Sequence, residues 1–206
     1  MRVTAETKAK TRSRIVEAAR KLFSGKGFDQ TTTRDIAAEA AIATGTLFNY
    51  FPSKEALGMS LLSEALQGAE ADSERRRRGD EPLEESLFAY VMAGLRRLAP
   101  YRRAVGAIVE SGLSPFTESA AADGQQLRVA HLETVAQLIA QDGRAPAPSF
   151  VAMHLYWTLY LGVLAFWSSD TSPNQEDTLV VLDQSLRLFV ASLANDAHMK
   201  EVSRGT

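Results

Sequence analysis

The sequence has no cysteine. That excludes a disulfide framework and any cysteine-ligated zinc site, and it permits a reducing compartment. Histidine is nearly as scarce, with only His131, His154 and His198. No H-E-x-x-H, G-x-S-x-G or phosphate-cradling glycine loop occurs, so no enzyme, metal or cofactor is expected. Stretches that alternate apolar and polar residues are absent, which argues against strands. The opening residues MRVTAETKAKTRSR lack the apolar segment of a secretory signal, so a cytoplasmic location is expected. A surplus of one charge is missing too: the net charge is -2. The balance is uneven along the chain, however. Residues 1–66 hold 10 Lys and Arg against 7 Asp and Glu, while residues 67–206 hold 13 against 18. This is the pattern of a small basic head on an acidic body.

What is present is helical spacing. With 206 residues, 45% of them hydrophobic, the chain can bury a core unaided. Ile15, Ala18, Ala19, Leu22 and Phe23 follow the period of an amphipathic helix, which Ser24-Gly25-Lys26-Gly27 stops. Thr32 and Asp35 stand at capping-box spacing, so a short helix opens near Thr32 or Thr33, with Ile36, Ala37 and Ala40 on its apolar face. The small residues Ala40–Ala43 suit a tight corner. A second short helix is predicted over Thr44–Tyr50, ended by Pro52. Ser53 then caps a longer helix from Lys54 to about Glu70. Further helices are predicted near Leu83–Leu98, Tyr101–Leu113, Phe116–Ile139, Phe150–Ser168 and Asp177–Ala194, punctuated by prolines. The fold class is all-α.

A support helix, two short helices joined by a tight corner and a long exit helix make a helix-turn-helix. Such a second helix meets base edges in the DNA major groove. Thr44 and Thr46 each offer a hydroxyl and a methyl, Gly45 lets the backbone approach the DNA, and Asn49 lies one turn on. The second helix has no Lys or Arg, so phosphate contacts must come from around it. Thr32, Thr33 and Arg34 open the first helix, Tyr50 carries a hydroxyl, and Lys54 opens the exit helix. Lys8, Lys10, Arg12 and Arg14 read as a basic arm along the DNA backbone or into a minor groove. Leu47 and Phe51 read as core anchors, with Phe48 partly so. Arg75–Arg78 reads as a solvated turn or the outer face of the exit helix. The same geometry also occurs as plain helix packing, so an all-α interaction module, or a small-molecule sensor without DNA binding, stands as the competing class.

The span Arg14–Leu62 resembles the DNA-binding domain of the TetR (tetracycline-repressor) family of bacterial regulators. The matching pieces are Ile15-Val16-Glu17-Ala18-Ala19 with Leu22-Phe23, Gly27-Phe28, Thr32-Thr33-Arg34-Asp35-Ile36-Ala37, Gly45-Thr46-Leu47-Phe48, Tyr50-Phe51 and Ser53-Lys54-Glu55-Ala56-Leu57. The resemblance implies a homodimer with an N-terminal helix-turn-helix head, residues 1–66, joined by a long helix to a helical effector-binding and dimerisation body, residues 67–206. It implies a transcriptional repressor that binds a palindromic operator and leaves it when a small molecule binds. Carried over residue by residue, DNA contacts fall on Thr33, Arg34, Thr44, Gly45, Thr46, Phe48, Asn49, Tyr50 and Lys54. Ala43 stands where many members have Ser, and Phe48 where Tyr is frequent. Each departure removes a hydroxyl.

In the body, Ala145–Ser169 carries no Lys, Arg, Asp or Glu. Two prolines, several serines, His154 and Thr158 interrupt it, and no flanking cationic bias marks a membrane span, so none is expected. A helix apolar all round is otherwise buried on all sides. Paired with the stripe Leu179, Leu182, Leu186, Phe189, Val190 and Leu193, it would build a four-helix dimer interface. Candidate pocket residues are Phe88, Met92, Tyr101, Phe116, Met153, His154, Trp157 and Tyr160, and the scarcity of charge around Phe150–Trp167 points to a neutral or hydrophobic effector.

Overall fold

The structure is a computed structural model, and it describes residues 5–112, 122–143 and 147–204. The secondary structure there is helical: α1 (Ala5–Gly25), α2 (Thr33–Glu39), α3 (Thr44–Phe48), α4 (Lys54–Arg76), α5 (Leu83–Leu98), α6 (Arg102–Gly112), α7 (Ala122–Asp142), α8 (Phe150–Ser169) and α9 (Glu176–Arg204). Short 3-10 turns at Ala99–Tyr101 and Pro173–Gln175 precede α6 and α9. The chain divides into two compact units. One holds the described parts of residues 1–65 and 98–125, the other those of 66–97 and 126–206. α4 contributes residues to both units.

The first unit grows from α1, which buries Ile15, Val16, Ala18, Ala19 and Phe23. The expected basic arm is instead the first turns of this helix. Nothing before Gly25 breaks a helix, and Glu6 pairs with Lys10 one turn later at 2.7 Å. Arg12 donates to Ser60 Oγ at 3.0 Å and lies 5.0 Å from the Phe51 ring centroid. Arg14 donates to the carbonyls of Ala40 and Ala41. Both guanidiniums therefore serve the head's own packing.

α2 opens with the full capping box. Thr32 Oγ1 accepts from Asp35 N at 3.2 Å, and Thr32 N donates to Asp35 Oδ2 at 2.8 Å. The Asp35 carboxyl, hydrogen-bonded to Lys26 and then to Thr32, is held well below the usual carboxylate range. α2 ends in a Schellman motif: Ile42 N donates to Ala37 O at 2.9 Å and Ala41 N to Ala38 O at 3.0 Å. The left-handed residue of that motif is Ala41, at φ 51°. A Cβ is disfavoured there by about 1 kcal/mol. Ala41→Gly is therefore expected to stabilise the head by roughly 0.5–1 kcal/mol, read as a higher urea midpoint with an unchanged slope. A lower midpoint would show that the corner is not strained.

α3 has no side-chain cap at Ala43 and buries only Leu47. It ends two residues before the expected Tyr50, and Phe51 beyond it is buried. Ser53 Oγ accepts from Ala56 N at 3.1 Å and starts α4. α4 passes the expected end at Glu70 and runs to Arg76, because no breaker intervenes before Gly79. Arg75 and Arg76 are exposed in its last turn, as an outer face would be, whereas Arg77 is half-buried and bonds Gln141. α6 packs on α4 at Gly58, where an added Cβ would lie 2.8 Å from Ile108 Cδ1.

The second unit centres on α8 and α9. Tyr156, Trp157, Tyr160, Val163, Leu164 and Trp167 of α8 are buried with Leu182, Leu186, Phe189 and Leu193 of α9. Leu179 and Val190, expected on the same α9 stripe, are half-exposed. α8 is long and apolar enough to cross a membrane, yet these side chains fill the unit's own core.

Candidate nucleic-acid interface

The helix-turn-helix sets one group of expected residues on a common surface. Thr44, Gly45, Phe48 and Asn49 follow i, i+1, i+4 and i+5, one face of α3 and its C-cap. Gly45 and Asn49 are exposed, Phe48 is 48% exposed, and Thr44, Thr46 and Tyr50 are half-exposed. Leu47, on the opposite face, is 0% exposed and holds α3 to the head. No protein atom lies within 4 Å of where a Gly45 Cβ would be. The glycine is therefore not a packing requirement of the fold.

The flanking residues divide. Arg34 is exposed and Thr33 half-exposed at the start of α2. Thr32 is exposed, but its hydroxyl also donates to Asp35 Oδ2 at 2.8 Å, so it serves the cap. Lys54 does not reach outward. Its Nζ donates to Phe28 O at 2.9 Å and sits 4.2 Å from the Phe28 ring centroid. Lys21 and Lys26 pair with Glu39 and Asp35, each at 2.6 Å. Arg34 therefore stands out beside α3 as an exposed cation outside these pairs.

Of the expected effector residues, the structure brings Trp157 and Tyr160 together, with ring centroids 5.7 Å apart. Tyr101 belongs to the first unit and lies against Arg20, whose charge and hydrogen bond oppose the upward push of burial on its hydroxyl. Phe116 lies outside the described residues. His154 is exposed and stacks on Phe150, with ring centroids 6.2 Å apart, because it falls on the outer face of α8. Met92 and Met153 are half-buried. Phe88 lines a cleft of about 580 Å³ with Glu84, Glu85, Asp183 and Arg187. Tyr160 lines a cavity of about 10 Å³ with Tyr156 and Phe189, room for about one water.

Sequence reasoning missed His131. It is 3% exposed, and its two ring nitrogens lie 3.0 Å from the hydroxyls of Tyr90 and Tyr156. Trp157 and Tyr160 close around the ring. Burial pushes the imidazole pKa down to about 3. Its partners lie 41 and 25 residues away, so no local pattern announces the cluster. Among the described residues, no group of His, Asp and Glu could hold a metal ion.

Comparison with known proteins agrees with this geometry. Residues 15–58 match the family model described as bacterial regulatory proteins, tetR family. The HTH-type transcriptional regulator UidR of Escherichia coli (strain K12) is 41% identical over 82 residues, 40% of this chain and 39% of UidR. The chain spans well under half the length of the curated relatives it matches first. A TetR transcriptional regulator from Rhodococcus sp. RHA1 superposes with a TM-score of 0.71 at 19% identity, over 90% of this chain and 99% of that one. FadR of Thermus thermophilus, a TetR-family repressor solved with lauroyl-CoA, gives a TM-score of 0.67 at 23% identity, over 86% of this chain and 92% of FadR. Residues 15–58 of this chain thus match a tetR-family domain, and the chain as a whole shares the all-α fold of these solved structures, a helix-turn-helix head continued into a helical body.

Proposed function

We propose that the chain is a ligand-responsive, DNA-binding regulator of transcription in the bacterial cytoplasm, a repressor that holds a palindromic operator as a homodimer. The observation that carries this reading is the exposed face of α3. Gly45 stands open at its centre with Thr44, Phe48 and Asn49 around it, while Leu47 alone roots the helix. A surface with no packing duty and no side chain at its midpoint is suited to close approach by a duplex.

A second copy of the chain supplies the symmetry. Val151, Leu155 and Phe166 on α8, and Val180 and Leu188 on α9, are large apolar side chains left exposed. They line up along each helix at spacings close to whole turns, with Thr158, Gly162 and Ala165 between those of α8. Pairing α8 and α9 with their symmetry mates would cover this stripe. The same burial accounts for an apolar α8 without a membrane.

The effector is a neutral or hydrophobic small molecule held in the body. The cavity beside Tyr160 is too small to hold one as it stands, so binding there requires the α8–α9 core to open. Release from DNA is then a population shift, no larger than the effector's differential affinity for the closed and opened bodies.

Selection of binding sites from random duplexes by the full chain tests the reading. Enrichment of a palindrome with half-sites about one helical turn apart, bound with a steep dependence on salt, is the expected result. Failure to enrich any sequence at low salt overturns it and leaves the α-helical interaction module.

A further inference from the structure

Between Arg34 and Lys54 the chain has no Lys, Arg or His. This is the segment that carries the helix-turn-helix corner and α3. In the major groove, guanine is distinguished chiefly by a bidentate Arg or Lys on O6 and N7. No side chain of the corner or of α3 can make that contact: the exposed Arg34 belongs to α2, and Lys54, the nearest cation in sequence, is tied to Phe28.

What the surface presents is apolar and small. Ala41, Ala43, Gly45, Phe48 and Asn49 are exposed, with Thr44 and Thr46 half-exposed. Methyl groups and an exposed ring match one feature of the groove, the C5-methyl of thymine. Asn49 carries the α3 face's side-chain amide, a group that pairs with the N6/N7 edge of adenine. The geometry is consistent with this chemistry. Short side chains reach base edges only if the helix backbone comes close, and the open space at Gly45 allows that approach. Phe48 supports the same conclusion. It is 48% exposed beside a Leu47 that is 0% exposed, so its ring is not required by the head's core.

Resting on the DNA-binding function proposed above, we infer that the operator half-site under α3 is read through thymine methyl groups and an adenine edge, and not through guanine. Thr44, Thr46 and Phe48 determine the thymines, and Asn49 the adenine.

The test uses the full chain and the duplex it selects. Each thymine of a half-site is replaced in turn by uracil, which removes the methyl and keeps the base pair. Each guanine is replaced in turn by 7-deazaguanine, which removes the N7 acceptor. Uracil at one or more positions is expected to weaken binding by about fourfold, the factor that burial of one methyl-sized group represents. With Arg34, the exposed cation beside α3, replaced by Ala, 7-deazaguanine is expected to leave binding unchanged within the half-site. Thr46→Ser keeps the hydroxyl and removes the methyl, and should abolish the uracil effect at one position while the melting temperature stays the same. A bound duplex that tolerates uracil throughout overturns the inference and leaves the regulator reading standing. A chain that retains no duplex at all overturns both.

Discussion

Gly45→Val is expected to leave the head folded and to weaken operator binding at least 30-fold. The first half of that expectation comes from the fold. The space a Cβ would fill at Gly45 is empty to 4 Å, and the backbone there is ordinary right-handed helix. Gly45→Ala should even raise the melting temperature slightly, since glycine within an exposed helix is disfavoured against alanine by roughly 0.5–1 kcal/mol. The second half comes from the ligand. With α3 in the groove as proposed, any side chain at this point would stand between the helix and the DNA and lift Thr44 and Thr46 from the bases. Loss of contacts worth about 2 kcal/mol corresponds to about 30-fold in affinity. Circular dichroism melts and fluorescence anisotropy on the selected duplex check the two halves separately. Valine that destabilises the head, or that binds DNA as well as glycine does, contradicts the role given to this position.

The second large effect is acid sensitivity of the body, set by His131. Its ring is buried between Tyr90 and Tyr156, and a neutral imidazole there has one donor and one acceptor to offer two hydroxyls. Protonation turns the acceptor nitrogen into a second donor and places a charge in an apolar core, so the folded pKa falls to about 3 from the ordinary 6.5. The sign follows from proton counting. Below pH 6.5 the unfolded chain takes up a proton that the folded chain refuses. The stability due to neutral His131 is therefore complete above pH 6.5 and lost progressively as pH falls toward 3. The slope is about 1.4 kcal/mol per pH unit, so about 2 kcal/mol is lost by pH 5, or roughly 4–8 °C in melting temperature. The depressed carboxyls of Asp35, Asp72 and Asp170 act in the same direction, but their unfolded values lie near 3.8, so their effect sets in only below about pH 5. His131→Gln keeps a donor and an acceptor without the titration, and its melting temperature should vary less between pH 7.5 and 5. Equal slopes in the two proteins would remove His131 from the account.

The parts of this molecule legible in the sequence are those fixed by neighbours a few residues apart. The Thr32–Asp35 box, the Ser53 cap and the buried Leu47 are set within one turn, and the structure places each as the spacing predicts. The polar start of α1 was not legible, because a helix that buries nothing shows no apolar stripe. The Glu6–Lys10 pair was its one local signal. α9 likewise runs on to Arg204, past the Ala194 where its apolar stripe fades. Commitments across the chain were also hidden. Lys54 and Arg14 each bond a carbonyl 26 residues away, and Arg12 reaches Ser60 from a distance of 48. α8 resisted for a different reason. Apolar on every side, it gives no clue to which face turns inward, so Tyr156 and Tyr160 in the core could not be told from His154 outside it. Almost every residue proposed to contact DNA lies within one short segment, whereas the residues proposed for an effector come from separate helices.

A crystal structure of the full chain on its selected duplex is the most direct measurement. The account predicts α3 seated in the major groove, the Gly45 backbone against the DNA and Thr44, Thr46, Phe48 and Asn49 turned to the bases, with α8 and α9 paired across a two-fold axis. A duplex lying on any other surface, with α3 left in solvent, would contradict it.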